Sequence, residues 1–476
     1  LSSTAIKFGT EGWRGIIAED FTFDNVRACT EGLARYMEEA GLAKRGLVVA
    51  YDTRFASEHF AAAVAEVVAA HGIKVHLGIK AVPTPVASFA VKQLKAAAAV
   101  IITASHNPAP WNGYKVKTGD GVSASPEIVS RIESLIERVQ VEGKVARLPL
   151  EQAKKKGLVA DFDLEPAYFE QIGKLVDLPA LRRAGLKVAD DSMYGTASGY
   201  LGRLLSGGAT QVSEIHGERN PLFPGMRNPE PIDINLGELC RTVTETGAAV
   251  GVATDGDADR LGVVDEHGQY MTTLQVLPLL ALYLLEVRGE RGPIVRSHTT
   301  SGMLARLGQQ FGVPVYETPV GFKYIGNKML EVDALLGGEE SGGYAFRGHV
   351  AERDGILSAL YFLDLLVRRK QTPSQCLDYL YSLVGPHHYQ RVDIAFSADQ
   401  REAVRQRMDN AAPQRLNGSP VAERHVNDGY RFVLADGSWL MVRFSGTEPL
   451  LRIYAESSSS ERAGELVEAG KRLAGV

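Results

Sequence analysis

GLVVAYDTRFASEHFAAAVAEVVAAHGIKVHLG, residues 46–78, opens on a glycine and a β-branched run. A polar turn follows, and then Phe60, Val64, Val67 and Val68 recur at helical spacing before a glycine and a second apolar run. Short β-branched runs read as buried strands, and an apolar period of three to four reads as a helix. The stretch is a βαβ unit, which implies a parallel strand pair covered by a helix.

The same pattern occurs twice more, in GLKVADDSMYGTASGYLGRLLSGGATQVSEI from Gly185 and in GPIVRSHTTSGMLARLGQQFGVPVYET from Gly292. After each unit comes another apolar strand that ends in a polar loop. These are AAAAVIITASHN, GAAVGVATDGDADR and VDALLGGEESGGY, which carry Ser105, Asp255 and Glu339. Ligands of open α/β sheets bind beyond the carboxyl ends of strands. Three such loops facing one cleft would form one composite site. The chain's end differs: YQRVDIAF and GYRFVLADGSWLMVRFSG read as antiparallel strands, the latter two joined by an Asp-Gly turn, and ERAGELVEAGKRLAG reads as a closing helix. The predicted fold class is α/β: three related α/β domains with mixed, largely parallel sheets, and a smaller α+β C-terminal domain, around a central cleft. The boundaries are placed at 1–155, 156–262, 263–378 and 379–476.

At 476 residues the chain has room for three to four domains of ~150 residues. Its net charge of -5 gives no support to a nucleic-acid or membrane-surface role, which would favour a basic face. No apolar run reaches the ~18 residues of a membrane span. Three scattered cysteines without a CxxC suit reduced thiols, so the expected compartment is the cytoplasm. Asn417-Gly418-Ser419 is then an accidental sequon.

Chemistry concentrates in loops. TDGDADR, residues 254–260, places acids at 255, 257 and 259. Alternate residues of an extended loop converge three hard oxygen ligands on a small cation, which suits Mg2+. An EF-hand is disfavoured because its sixth loop position, here Arg260, needs glycine. Without a cation the three acids repel one another, unless the loop is simply a solvated turn. RFSGTEPLLRIY, residues 443–454, combines Arg443, Ser445, Gly446, Thr447 and Arg452, the donors of a phosphate cradle. GGEESGGY offers carboxylates to vicinal hydroxyls. Arg14 in GTEGWRG and Lys323 in TPVGFKY sit in glycine-rich turns, while His298 and the His387-His388 pair read as structural. Neither GxxxxGK[ST] nor GxGxxG occurs, which argues against a P-loop NTPase or a dinucleotide enzyme.

Taken in order, GTEGWRG, TASHNP with its NGYK extension, DGDADR, TPVGFK, GEESGG and RFSGTEP resemble the α-D-phosphohexomutase family along nearly the whole chain. The resemblance implies a phosphoryl carrier at Ser105. It implies Mg2+ held by Asp255, Asp257, Asp259 and a phosphate oxygen on Ser105. Arg260, Arg14 and His106 would surround the phosphoryl group, with Lys115 and Arg14 as acid-base or electrostatic partners of the sugar hydroxyl. Glu339 and Ser341 would hold sugar hydroxyls, and Lys323 would also bind substrate. Arg443, Ser445, Gly446, Thr447 and Arg452 would hold the phosphate that is not transferred. The implied reaction moves phosphate between O1 and O6 of a hexose through a hexose 1,6-bisphosphate, in a monomer or homodimer. Relatives acting on mannose or glucosamine often carry SGH in the sugar loop, where this chain has Gly343 in GEESGGY, and glucosamine mutases often have serine where it has Thr103. The resemblance therefore favours glucose phosphates, then mannose phosphates. A phosphoglucosamine mutase, a phosphatase on the same metal site, and an inactive sugar-phosphate-binding protein are the rivals.

Overall fold

The computed structural model describes residues 6–9, 11–396, 398–445 and 450–476. The first sheet contains β1 (Trp13–Ile16), β2 (Leu47–Tyr51), β3 (Val75–Gly78), β4 (Ala98–Ile102), β5 (Trp111–Thr118) and β6 (Val159–Phe162), in the order β1-β5-β4-β2-β3-β6. The second contains β7 (Lys187–Asp191), β8 (Gln211–Ile215), β9 (Val250–Thr254), β10 (Leu261–Val264) and β11 (Tyr270–Met271), in the order β11-β10-β9-β7-β8. The third contains β12 (Ile294–Ser297), β13 (Val315–Thr318), β14 (Leu336–Gly338) and β15 (Tyr344–Phe346), in the order β13-β12-β14-β15.

One four-strand unit underlies all three. Its first two strands pair parallel, its third pairs parallel on the other side of the first, and its fourth returns antiparallel to the third. The third strand of each unit, β4, β9 or β14, is the one that ends in a polar loop. All three are buried along their whole length. In β4 and β9 apolar side chains explain why, since fully burying a Val, Ile or Leu contributes about 1.5–3 kcal/mol; in β14, Leu336 is followed by Gly337 and Gly338, which let Met329 and Leu277 close in on the strand.

The fourth sheet is wholly antiparallel: β16 (His388–Ala395), β17 (Arg415–Leu416), β18 (Ser419–His425), β19 (Tyr430–Leu434), β20 (Trp439–Phe444) and β21 (Leu450–Ser457), in the order β16-β21-β20-β19-β18-β17. It has its own core, with Phe432, Leu440, Val442 and Ile453 packed on Leu466 and Val467 of the closing helix Ser460–Ala474.

Strand pairing places several segments apart from the boundaries read in sequence. Residues 159–162 pair with β3 and stay with the first sheet. The break expected at 262/263 falls inside β10, and residues 270–271 extend the second sheet. The break expected at 378/379 falls inside the helix Pro373–Val384. A hydrophobic pattern reports burial but not the partner of a strand, so these edges were not readable. The domains are also cross-linked. Lys117 of β5 donates to Glu352 of the third unit at 2.6 Å, with both side chains fully buried. No helix among the described residues is long and apolar enough to cross a membrane.

Candidate active site

The apolar run of β4 stops at Ile102, and the chain turns sharply. Ser105 has a φ of 53°, in the left-handed region that a non-glycine residue adopts at some cost. The Thr103 hydroxyl accepts the Ser105 N–H at 2.9 Å and so braces the turn. The serine is buried, yet its hydroxyl faces polar groups: it donates to Asp255 Oδ2 at 2.8 Å and lies 3.1 Å from His106 Nδ1. Burial, then Arg260, Arg14 and Lys115, hold the His106 imidazole well below its ordinary pKa, so it is neutral. Arg14 on β1 reaches the same loop through Asn107 Oδ1.

Asp255, Asp257 and Asp259 are all fully buried at the end of β9. Ala258 has a φ of 57°, which folds the loop back on itself. Asp255 Oδ1 accepts the N–H groups of Asp259 and Arg260 at 2.9 and 3.1 Å. Lys115 on β5 donates to Asp257 at 2.6 Å and to Asp259 at 3.1 Å. Burial alone would lower the Lys115 pKa, but Asp257, Asp259 and Glu11 raise it above the ordinary value, and the group is charged. Burial, with Asp259 and Asp257 adding, pushes Asp255 well up.

Two buried oxygens in this group, Asp257 Oδ1 and Asp259 Oδ1, have no hydrogen-bond partner among the described residues. One ligand atom from each aspartate can be chosen so that all lie within 4.8 Å of one another. Buried hard oxygens converging in this way fit a small dication, which would also reverse the upward push on Asp255.

The three loops meet. Thr84 N–H donates to Asp257 O at 2.9 Å, Leu261 N–H to Gly342 O at 2.9 Å, and Gly355 N–H to Ala258 O at 3.0 Å. A Cβ on Gly256 would lie 2.6 Å from Ser105 O, so only glycine lets the acidic loop approach the serine. Glu339 accepts from the Ser341 hydroxyl at 2.6 Å.

Arg353, which carries no signal in the sequence pattern, ties the loops together. Its guanidinium donates to Glu339 at 2.8 Å and also to Asp259 and Glu11. Asp354 caps the helix Gly355–Arg369 by accepting Leu357 N–H at 2.8 Å, which fixes the segment just before it. A Cβ on Gly343 would fall 2.0 Å from Arg353 Cδ, so the arginine stem occupies the space of a side chain at 343. Asn228 and Glu230, from the proline-rich stretch 217–231, carry no local signal either. Asn228 donates to His106 O at 2.8 Å, and Glu230 accepts from Arg260 at 2.7 Å. Glu11 lies within the quoted GTEGWRG, but nothing local distinguishes it from a solvated acid.

Other expected residues have contacts of their own. The Lys323 ammonium stands 5.2 Å from the Tyr324 ring centre. Arg443 donates to Asp428 at 3.1 Å, and Arg452 pairs with Asp393 at 3.5 Å, both within the fourth domain. Ser445 is buried beside them, while Gly446 and Thr447 lie outside the described residues. Asp428 also accepts Val320 N–H at 2.7 Å, which links this domain to the TPVGF turn of the third.

The chain's successive parts match the family models for phosphoglucomutase/phosphomannomutase: alpha/beta/alpha domain I over residues 5–142, domain II over 166–268, domain III over 274–384, and the C-terminal domain over 398–471. A Methanothermobacter thermautotrophicus protein assigned as a phosphoglucosamine mutase is 32% identical, over 96% of this chain and 95% of its own. A Thermococcus kodakarensis phosphoglucomutase/phosphomannomutase is 30% identical, over 98% of each. A crystal structure from Thermus thermophilus, assigned as a phosphomannomutase, superposes with a TM-score of 0.86 at 36% identity, over the full length of both chains. The repeated α/β unit, the serine and acidic loops that meet in its cleft, and four domain matches in order lead to one conclusion: the chain belongs to the phosphoglucomutase/phosphomannomutase family of the α-D-phosphohexomutases.

Proposed function

We propose that this phosphohexomutase moves phosphate between O1 and O6 of glucose phosphates, and more slowly of mannose phosphates, through a phosphoserine at Ser105. The observation that carries the reading is a buried serine hydroxyl, in a left-handed turn, hydrogen-bonded to one of three converging aspartates. In the first half-reaction the bond between phosphorus and Ser105 Oγ breaks as one forms to the free O6 or O1 of the sugar. The serine recovers a proton, and the sugar hydroxyl gives one up. Hexose 1,6-bisphosphate then reverses its orientation, and its other phosphoryl group returns to Ser105.

Phosphoryl transfer depends mostly on positioning and charge neutralisation. Asp255, Asp257 and Asp259, with an oxygen on phosphorylated Ser105, would hold Mg2+, which supplies positive charge to the transferring group. Arg14, His106 and Arg260 surround that group. Lys115 holds its proton next to the reacting oxygen and, with Arg14, serves as acid-base or electrostatic partner of the sugar hydroxyl. Glu339 and Ser341 orient hydroxyls, and Lys323 lends a cation to the substrate. Arg443, Ser445, Gly446, Thr447 and Arg452 grip the idle phosphate.

Arg443→Ala accordingly raises KM for both sugar phosphates with little change in kcat. One charged hydrogen bond is worth about 1.5–3 kcal/mol, so the rise is on the order of ten- to a hundredfold. An unchanged KM for both would remove Arg443 from the phosphate site.

The rival sugar is glucosamine, which relatives' assignments favour. The loop chemistry favours a neutral hexose. Glu339 already accepts from Arg353 and Ser341, so an ammonium at C2 meets a neutralised carboxylate and a guanidinium beside it. Side-by-side kcat/KM values on glucose 1-phosphate, mannose 1-phosphate and glucosamine 1-phosphate are the test. The expected ranking is in that order, with mannose measurable and glucosamine slight. A clear preference for glucosamine 1-phosphate overturns the choice of sugar and leaves the mutase reading intact.

A further inference from the structure

The turn after β2 buries an arginine that neither the family motifs quoted above nor the proposed chemistry uses. Arg54 is 1% exposed. Its Nη2 donates to the carbonyls of Ser105 and Asn107 at 2.6 and 2.5 Å, and its Nη1 to those of Pro108 and Trp111, both at 3.0 Å. Three carbonyls of the loop and that of Trp111, the first residue of β5, thus converge on a single planar cation. Nε faces Asp52 Oδ2 at 3.3 Å, and Asp52 in turn accepts Arg54 N–H at 2.9 Å and the Ser57 hydroxyl at 2.7 Å. From the second domain, the Phe223 ring covers the guanidinium at 5.0 Å, and Arg219 donates to the carbonyls of Thr53 and Arg54 at 3.0 and 3.2 Å.

This arrangement has a mechanical consequence. Ser105 sits in a left-handed conformation that costs energy, and the loop around it has no sheet partner between β4 and β5. Backbone carbonyls turned into a buried space need donors. Arg54 supplies four in one rigid fork, and a lysine ammonium offers three donors with no fixed plane. We infer that Arg54 is a positioning residue for phosphoryl transfer: it sets the backbone of residues 105–111 and so aims the Ser105 hydroxyl at the Asp255 group, without touching substrate. The inference rests on Ser105 being the phosphoryl carrier.

The test compares Arg54→Lys, Phe223→Leu and Ser105→Ala with the wild-type protein. Each is followed by kcat, KM, thermal midpoint and hydrogen exchange of the 103–111 amides. A misplacement near 1 Å costs on the order of a hundredfold in rate. Arg54→Lys should therefore lose kcat on that order while KM stays within about threefold, a split that general loosening of the fold would not give. Exchange in 103–111 should quicken more than elsewhere. Phe223→Leu, which only uncovers the guanidinium, should show the same pattern at a severalfold level, and it serves as the test if Arg54→Lys does not fold. Wild-type kcat in a folded Arg54→Lys, or in Phe223→Leu when only that variant folds, overturns the inference, as does a kcat loss matched by an equal rise in KM. Ser105→Ala separates the two readings. If it keeps turnover, the carrier assignment has failed. If it is inactive while Arg54→Lys works at full rate, only the role given to Arg54 has failed.

Discussion

Ser105→Ala has no mutase turnover on glucose 1-phosphate or mannose 1-phosphate, and its thermal midpoint stays close to that of the wild-type protein. On the proposed mechanism the loss is complete, because Ser105 Oγ would be the atom that forms and breaks the bond to phosphorus. The surrounding cations can stabilise charge, but they offer no second acceptor for the group. The fold survives because alanine inherits a left-handed turn that the serine already occupies, so no new backbone strain arises at φ 53°. Asp255 Oδ2 loses one donor, while its other oxygen keeps the N–H groups of Asp259 and Arg260. Intact mass gives the independent readout. The wild-type protein incubated with hexose 1,6-bisphosphate carries a species heavier by one phosphate that maps to Ser105, and the variant carries none. Mutase activity near the wild-type level in Ser105→Ala would sink the phosphoserine mechanism. Inorganic phosphate released in step with sugar consumption would instead identify a phosphatase.

The residues that proved legible in sequence are those whose partners lie within one βαβ unit. The run from Leu47 to Tyr51, the helix Ser57–Ala70 and the strand from Val75 follow from local periodicity, and two repeats of that pattern foretell the sheets. Asp255, Asp257 and Asp259 were legible because their spacing is itself the signal. Arg353 was not, since it bridges Glu11, 342 positions away, to Asp259 and Glu339. A lone arginine before a helix normally reads as solvated, and only the folded chain shows four acids around it, Glu11, Asp259, Glu339 and Glu352. The same holds for Arg54, which lies inside the first quoted stretch but whose four carbonyl partners begin 51 residues later. The empty position at Gly343 looked like a missing sugar contact. In the structure it is the space that the Arg353 stem fills.

Removing divalent metal stops the reaction, and Asp257→Asn weakens both metal binding and rate. The argument begins with charge. Three carboxylates lie fully buried within a few ångströms, and ionised acids so placed are costly unless cations compensate them. Lys115 and Arg353 reach Asp257 Oδ2 and Asp259 Oδ2, but Oδ1 of each is buried and without a partner among the described residues. A dication there would satisfy both oxygens. It would also draw Asp255 down from its raised pKa, because metal ligands must be deprotonated. The sign for pH follows: protons compete with the cation for Asp255, whose pKa is raised, so Mg2+ affinity should fall as the pH is lowered. Asparagine at 257 keeps one oxygen acceptor but loses the charge and presents an amide nitrogen to the other side of the group. The Lys115 contact at 2.6 Å weakens with it, so the variant disturbs the proton holder as well as the ligand set. Calorimetric titration of metal-free protein with Mg2+ should show at least a tenfold weaker Kd for Asp257→Asn, on the scale of one lost charged interaction of about 1.5–3 kcal/mol. Activity of wild-type protein stripped with EDTA should disappear and return with added Mg2+. Protein shown free of metal yet turning over at full speed would make the DGDADR loop a structural element only, held together by Lys115 and Arg353.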